Sequence, residues 1–301
     1  TGQLFASANG LRTSRRGWLR VGAVESSTTP EHERQSVMSY LEYFKLRGQP
    51  FSEHVAREAF WSDTRMEEGL SRLTHLVQSG MIGLVVGASG LGKSALLKRF
   101  IAEQSPQNCQ TVYCHLTHLP SNGLLKLVLS QLGEVPKRGK DKLYSQLLDC
   151  AARSDATLLL IFDEAHLLSG DALVDLRLLV SSAVELGPPL KILLVGQEHI
   201  RQTLKRAEYK DIVNRINVHY QLRPLTKEQT CRYIDHQMST HGGDPKVFDE
   251  SVKELIHDFT GGNPRAINNV TIACLLQATA RRSVRVDEEI FRQAISDLHW
   301  N

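Results

Sequence analysis

Gly87-Ala88-Ser89-Gly90-Leu91-Gly92-Lys93-Ser94 decides how this chain is read. The stretch matches G-x-x-x-x-G-K-[ST] without a gap. An apolar run over 81–86 precedes it, and a helical pattern over 95–102 follows. Strand, glycine-rich turn and helix in that order make a phosphate cradle. The glycines let the backbone wrap inward with its N–H groups facing an anion. The helix N-terminus, including Ala95, adds a favourable dipole. Lys93 is expected to reach the β- and γ-phosphates, and Ser94 to ligate Mg²⁺. The expected ligand is ATP with Mg²⁺.

Further along, Leu158-Leu159-Leu160-Ile161-Phe162-Asp163-Glu164 reads as a buried strand delivering two carboxylates to the same edge. Asp163 is expected to hold Mg²⁺ directly or through water. Glu164 is placed to polarise the attacking water as general base. Asp163-Glu164-Ala165-His166 also spells the DEAH box of a helicase class. Such helicases need a second motor domain, and nothing after 224 resembles one, so His166 reads as a local structural residue. Gln197 ends the apolar run 191–195 through Gly196, where a polar side chain meets ligand in a doubly wound sheet. Arg215 precedes the last strand, where an arginine can act in trans on a neighbour's nucleotide. Arg265 follows Gly262-Asn263-Pro264 and could reach back to the γ-phosphate. The plainer alternatives are a salt-bridged surface arginine for Arg215 and a surface arginine at a helix start for Arg265.

Outward from these motifs, apolar runs at 81–86, 111–116, 157–162, 191–195 and 218–222 alternate with helical stretches, among them 64–78. Runs without polar alternation suit buried parallel strands in an α/β layer fold. After Pro224 the strand signals vanish. Residues 226–240, 249–260, 264–280 and 287–299 read as helices, with Thr226 and Gln229 at capping-box spacing. The expected organisation is a P-loop core over 38–223 and a helical domain over 224–301. Residues 1–37 lack periodicity and read as a disordered tail or upstream sequence, with Met38 as the natural start.

The net charge of +3 over 301 residues gives no bulk argument for nucleic-acid binding. Five cysteines without a CxxC pair argue against a disulfide framework or zinc site and fit a reducing cytoplasm. No run reaches the ~18 apolar residues of a membrane span.

Together these residues resemble the AAA+ ATPases, specifically the ExeA-like (general secretion pathway protein A-like) branch. Tyr40-Leu41-Glu42-Tyr43-Phe44-Lys45-Leu46 with Pro50-Phe51 is similar to that family's opening. Leu193–Gln197 resembles its sensor-1 strand, Arg215-Ile216 its arginine-finger segment, and Gly261-Gly262-Asn263-Pro264-Arg265 its sensor-2 motif. The likeness covers about 38–299. It implies a five-stranded sheet in 5-1-4-3-2 order, a helical lid, and a homo-oligomeric ring or filament with ATP between subunits. Members of the family often carry Gln where this chain has His166.

Secretion-type members resemble the chain only in their ATPase half and continue into a membrane helix and a cell-wall-binding domain. This sequence ends at Asn301, so the expected relatives are transposition helpers of the TnsC, TniB and IstB type. Those assemble with ATP on double-stranded DNA and recruit a transposase. An ExeA-like secretion accessory is the alternative. The basic stretches at 137–142 and 281–285 could meet phosphates, but charge runs of this size are more often solvated loops.

Overall fold

The computed structural model describes residues 39–52, 60–115, 118–187 and 189–298. The expectations for 1–37 and for Met38 lie outside the described residues.

Strands β1 (Ile82–Val86), β2 (Cys109–Cys114), β3 (Thr157–Phe162), β4 (Leu190–Gly196) and β5 (Ile216–Gln221) form one parallel sheet. Their order is β2-β3-β4-β1-β5, the expected 5-1-4-3-2 read from the other edge. The three inner strands are buried almost throughout, because helices cover both faces. β5 differs from expectation. It starts at Ile216, two residues early, and alternates buried and exposed. As an edge strand it leaves Asn217, His219 and Gln221 toward solvent, so polar residues cost nothing there. β2, the other edge, also starts early, and its last residue is Cys114.

On one face, Ile82, Leu84 and Val86 pack with side chains of α4 (Ser121–Gln131), α5 (Lys140–Ala152), α6 (Gly170–Leu186) and α7 (His199–Leu204). On the other, Val85, Ile161 and Leu193 pack with α2 (Thr64–Ser79) and α3 (Lys93–Glu103). The period-2 alternation of the strands separates these two apolar sets. α8 (Lys210–Val213) leads into β5.

A third apolar cluster joins α9 (Lys227–Thr240), α10 (Glu250–Thr260), α11 (Pro264–Ala280) and α12 (Glu288–Leu298). Thr226 caps α9 in the expected capping box with Gln229, and Asn263 with Pro264 starts α11. The strand signal does not vanish entirely, since Phe248 and Val286 form one isolated parallel bridge. The same cluster also takes in the start of the described chain. Ser39 and Glu42 form a capping box for α1 (Tyr40–Tyr43), and Phe44 and Phe51 are buried among the C-terminal helices. Phe51 meets Phe248 edge-on at 6.3 Å.

Candidate functional site

The register of the sheet brings the sequence motifs to one edge. Val86 pairs with Gly196, and Phe162 pairs with Leu194. Gly87, Asp163 and Gln197 therefore all leave the sheet at its carboxyl edge, where ligands bind in open α/β sheets. β4 lies between β1 and β3. The phosphate loop and the Asp163 strand are thus two strand spacings apart, roughly 10 Å.

The loop from Gly87 to Gly92 turns into α3 with Gly92 at the N-cap and no side-chain cap. The first amides of that helix, on Lys93, Ser94 and Ala95, have no intrahelical acceptor by construction. Lys93 is buried, and its Nζ donates to the carbonyls of Gly87 at 2.9 Å and Ala88 at 3.0 Å. Burial lowers its pKa below the ordinary lysine value, Glu164 and Asp163 oppose that shift, and Arg265 adds to it. Leu91 anchors the loop in the apolar core on the α2–α3 side. Ser94 is exposed on the first helical turn.

Asp163 is 1 % exposed. Its Oδ1 accepts the Glu164 amide at 2.9 Å, and its Oδ2 accepts the Tyr113 hydroxyl at 2.5 Å. His115 Nδ1 lies 3.8 Å from the same Oδ2. Burial and the Asp163 carboxylate push the Tyr113 phenol well above its usual range, so it remains a donor. Glu164 has a left-handed backbone, φ 51° and ψ 37°, which turns its side chain off the strand line. Gln197 is half-buried just past β4, between the phosphate loop and Asp163.

The two arginines part company. Arg265 lies on the phosphate loop: its Nη1 donates to Ser89 Oγ at 3.1 Å, and its amide to the Gly90 carbonyl at 3.3 Å. Asn263 Nδ2 joins it by donating to the Ser89 carbonyl at 2.8 Å. Gly90 makes this approach possible, because with φ +81° a Cβ there would sit 2.5 Å from Asn263 Oδ1. Arg215 stands at the other end of the sheet, since Ile216 pairs with Ile82 at the start of β1. The length of β1, roughly 16 Å, separates it from its own phosphate loop.

Two site residues escaped sequence reading. Tyr113 lies in an edge strand, where a tyrosine carries no signal until β2 is known to pair with β3. Asn263 was legible as a helix cap, but not as a ligand of the phosphate loop. A cavity of about 550 Å³ opens elsewhere, over the β1–β5 edge. It is lined by Arg65, Arg72, Arg201 and Arg223, but Asp63, Glu68 and Glu198 pair with the first three.

The residues fit a magnesium nucleotide. Unbonded first-turn amides face an open cradle, and Lys93 rests on two carbonyls that a phosphate could displace. A hydroxyl and a carboxylate are hard oxygen donors suited to Mg²⁺. Among the described residues, no group of three or more His, Cys, Asp or Glu could hold a metal alone.

Residues 75–204 match the family model described as "AAA domain". The chain is 26% identical over 255 residues to General secretion pathway protein A of Aeromonas hydrophila, covering 82% of this chain and 46% of that protein. It therefore spans about half the length of the curated relative it matches. Among solved structures it is similar to Cdc6p from Pyrobaculum aerophilum, with TM-score 0.65 and 16% identity over 84% of this chain and 71% of that one. It is also similar to the Aeropyrum pernix ORC1 protein in complex with DNA, with TM-score 0.62 and 17% identity over 81% and 68%. At these identities the structural likeness is one of fold.

Proposed function

We propose that this chain, which has the AAA+ fold and resembles the ExeA-like ATPases over most of its length, binds ATP with Mg²⁺ and hydrolyses it. The observation that carries the reading is the meeting of Lys93, Asp163, Glu164, Gln197 and Arg265 at one sheet edge around the phosphate loop. Lys93 and the amides of 87–95 bind the phosphates. Ser94 and Asp163 would hold Mg²⁺, which when bound neutralises charge on the β- and γ-phosphates. Glu164 takes a proton from the attacking water. The water oxygen forms a bond to the γ-phosphorus while the bond to the β–γ bridging oxygen breaks, its electron pair leaving with ADP. Gln197 orients the water, and Arg265 carries the phosphate state to the helical lid. Arg215 serves the nucleotide of a neighbouring copy in a ring or filament.

For the load this motion drives, we infer an ATPase module of the ExeA-like kind, acting in the cytoplasm. The likeness to general secretion pathway protein A across 82% of the chain supports it. A second reading is a DNA-bound transposition helper, of which only the DNA contact is shared with similar folds solved with DNA, the Aeropyrum pernix ORC1 protein and Drosophila ORC. Within the basic stretches Lys140 pairs with Asp175 at 2.6 Å and Arg281 with Glu289 at 2.7 Å, while Arg138, Lys142, Arg282 and Arg285 are exposed.

The test is nucleotide binding and phosphate release by the wild type and Lys93→Ala. Undiminished ATP binding by Lys93→Ala would sink the reading. Duplex DNA binding with ATP, ADP or no nucleotide, across a salt series, separates the two loads. Salt-sensitive, ATP-dependent binding favours the helper.

A further inference from the structure

We propose that His166 is a positioning residue for ATP hydrolysis, holding the Glu164 carboxylate in the orientation that accepts the water proton. The inference rests on the reading of Glu164 as the base.

Four observations carry it. Glu164 sits in the left-handed region, φ 51°, which non-glycine residues rarely enter and which concentrates at functional sites. The 3₁₀ turn Ala165–Leu167 follows at once and folds the His166 ring back, with Nδ1 3.3 Å from Glu164 Oε2. That Nδ1 is fully buried and makes no hydrogen bond among the described residues. Finally, the ring and its backbone nest against Gly196, where a Cβ would lie 3.2 Å from the His166 amide nitrogen and 3.4 Å from Nδ1.

A buried imidazole nitrogen ordinarily pairs with a backbone carbonyl or a carboxylate. This one faces a carboxylate at hydrogen-bond distance but off the bonding axis. A small rotation of Glu164 aligns the pair, with Nδ1–H donating to one carboxylate oxygen. The other oxygen is then left to accept the proton from water. Gly196 makes room for the ring and is followed by Gln197, so base, positioning residue and water-orienting amide share one wall. The His199 ring lies beside it, its centroid 6.5 Å away and tilted.

The test compares His166→Ala, His166→Asn and His166→Gln for ATP affinity, KM and kcat, alone and combined with Glu164→Gln. Asparagine puts an amide nitrogen near the place of Nδ1, whereas glutamine carries it beyond. We expect His166→Ala and His166→Gln to lower kcat by about 10- to 100-fold. ATP affinity and KM should stay within about threefold, because the interaction serves only the transition state. His166→Asn should retain most of kcat. In the Glu164→Gln background, His166→Gln should add less than about twofold, as expected of residues acting as a unit. The inference is overturned if His166→Gln matches the wild type, or if Asn and Gln fall equally. It is also overturned if Glu164→Gln leaves turnover intact, since then the base itself is misassigned. Loss in Glu164→Gln with no loss in any His166 variant removes this inference and leaves the ATPase reading standing. Asn and Gln are compared with each other, so an unstable alanine variant does not blunt the result.

Discussion

Lys93 and Glu164 are held differently, and that difference separates their substitutions. The lysine rests on the carbonyls of Gly87 and Ala88 inside the loop it serves. Removing it takes away the phosphate-facing charge, so Lys93→Ala should weaken ATP binding by at least about 100-fold, as titration with a fluorescent ATP analogue would read. Glu164 leaves the strand end on its own left-handed turn, and glutamine keeps its shape while removing the basic oxygen. Glu164→Gln should keep ATP affinity within a fewfold while phosphate release falls by about 10²- to 10⁴-fold, the range for loss of a general base. Equal loss of binding in both variants would contradict this division. Both residues were readable as motif positions. Tyr113 was not, because its link to Asp163 spans fifty positions and exists only once β2 has paired with β3.

At the scale of elements, the turn between α10 and α11 controls how the lid meets the phosphate loop. Gly262 has φ +72°, and a Cβ there would lie 2.0 Å from the Leu225 carbonyl oxygen, which is backbone and cannot swing aside. Its own carbonyl accepts the Leu225 amide at 2.8 Å. Gly262→Ala should therefore lower Tm by more than about 8 °C, taking several kcal/mol at ~2–4 °C each. Asn263→Ala loses a helix cap worth about 1 kcal/mol and should lower Tm by only about 2–4 °C. A Gly262→Ala protein melting within about 2 °C of the wild type would show that the turn is not constrained in this way. The helix starts at Thr226 and Asn263 were legible because caps are local chemistry. The partner of the Gly262 turn was not, since Leu225 is brought there by the fold.

For the whole molecule, the position of Arg215 sets an assembly test. It stands a full strand length from its own phosphate loop, and on the proposed reading it acts on the nucleotide of a neighbouring copy. Lys93→Ala has a dead site and an intact Arg215, and Arg215→Ala the reverse. Mixing the two should restore phosphate release well above the sum of the separate proteins. A strictly additive mixture would argue against action in trans. A second whole-molecule property follows from the buried thiols. Burial raises Cys109 to about 11, and Cys114 and Cys274 to about 12. An unfolded thiol ionises near 8.5. Below that both states are protonated and stability is complete. As pH rises further, the unfolded state loses protons first, so stability falls between about pH 9 and 12. Melting temperature against pH should show this decline. Alkylation of the native protein at pH 8 should reach Cys150 and Cys231, which are partly exposed, well before the other three.

The sequence by itself determined the phosphate loop, the carboxylate pair, the layer class and the caps, because each is written in neighbouring residues at fixed spacing. Continuous apolar runs likewise announced the inner strands, which are covered on both faces. The alternation of β5 was misjudged because edge position belongs to the sheet and not to the strand. Only the tertiary structure decided which distant residues meet. It set Arg265 and Asn263 on Ser89 and put Arg215 at the far edge. It joined the opening helix to the C-terminal cluster and set Gly196 against His166. Those contacts depend on strand order and on the fold of the lid, and no local window of sequence contains either.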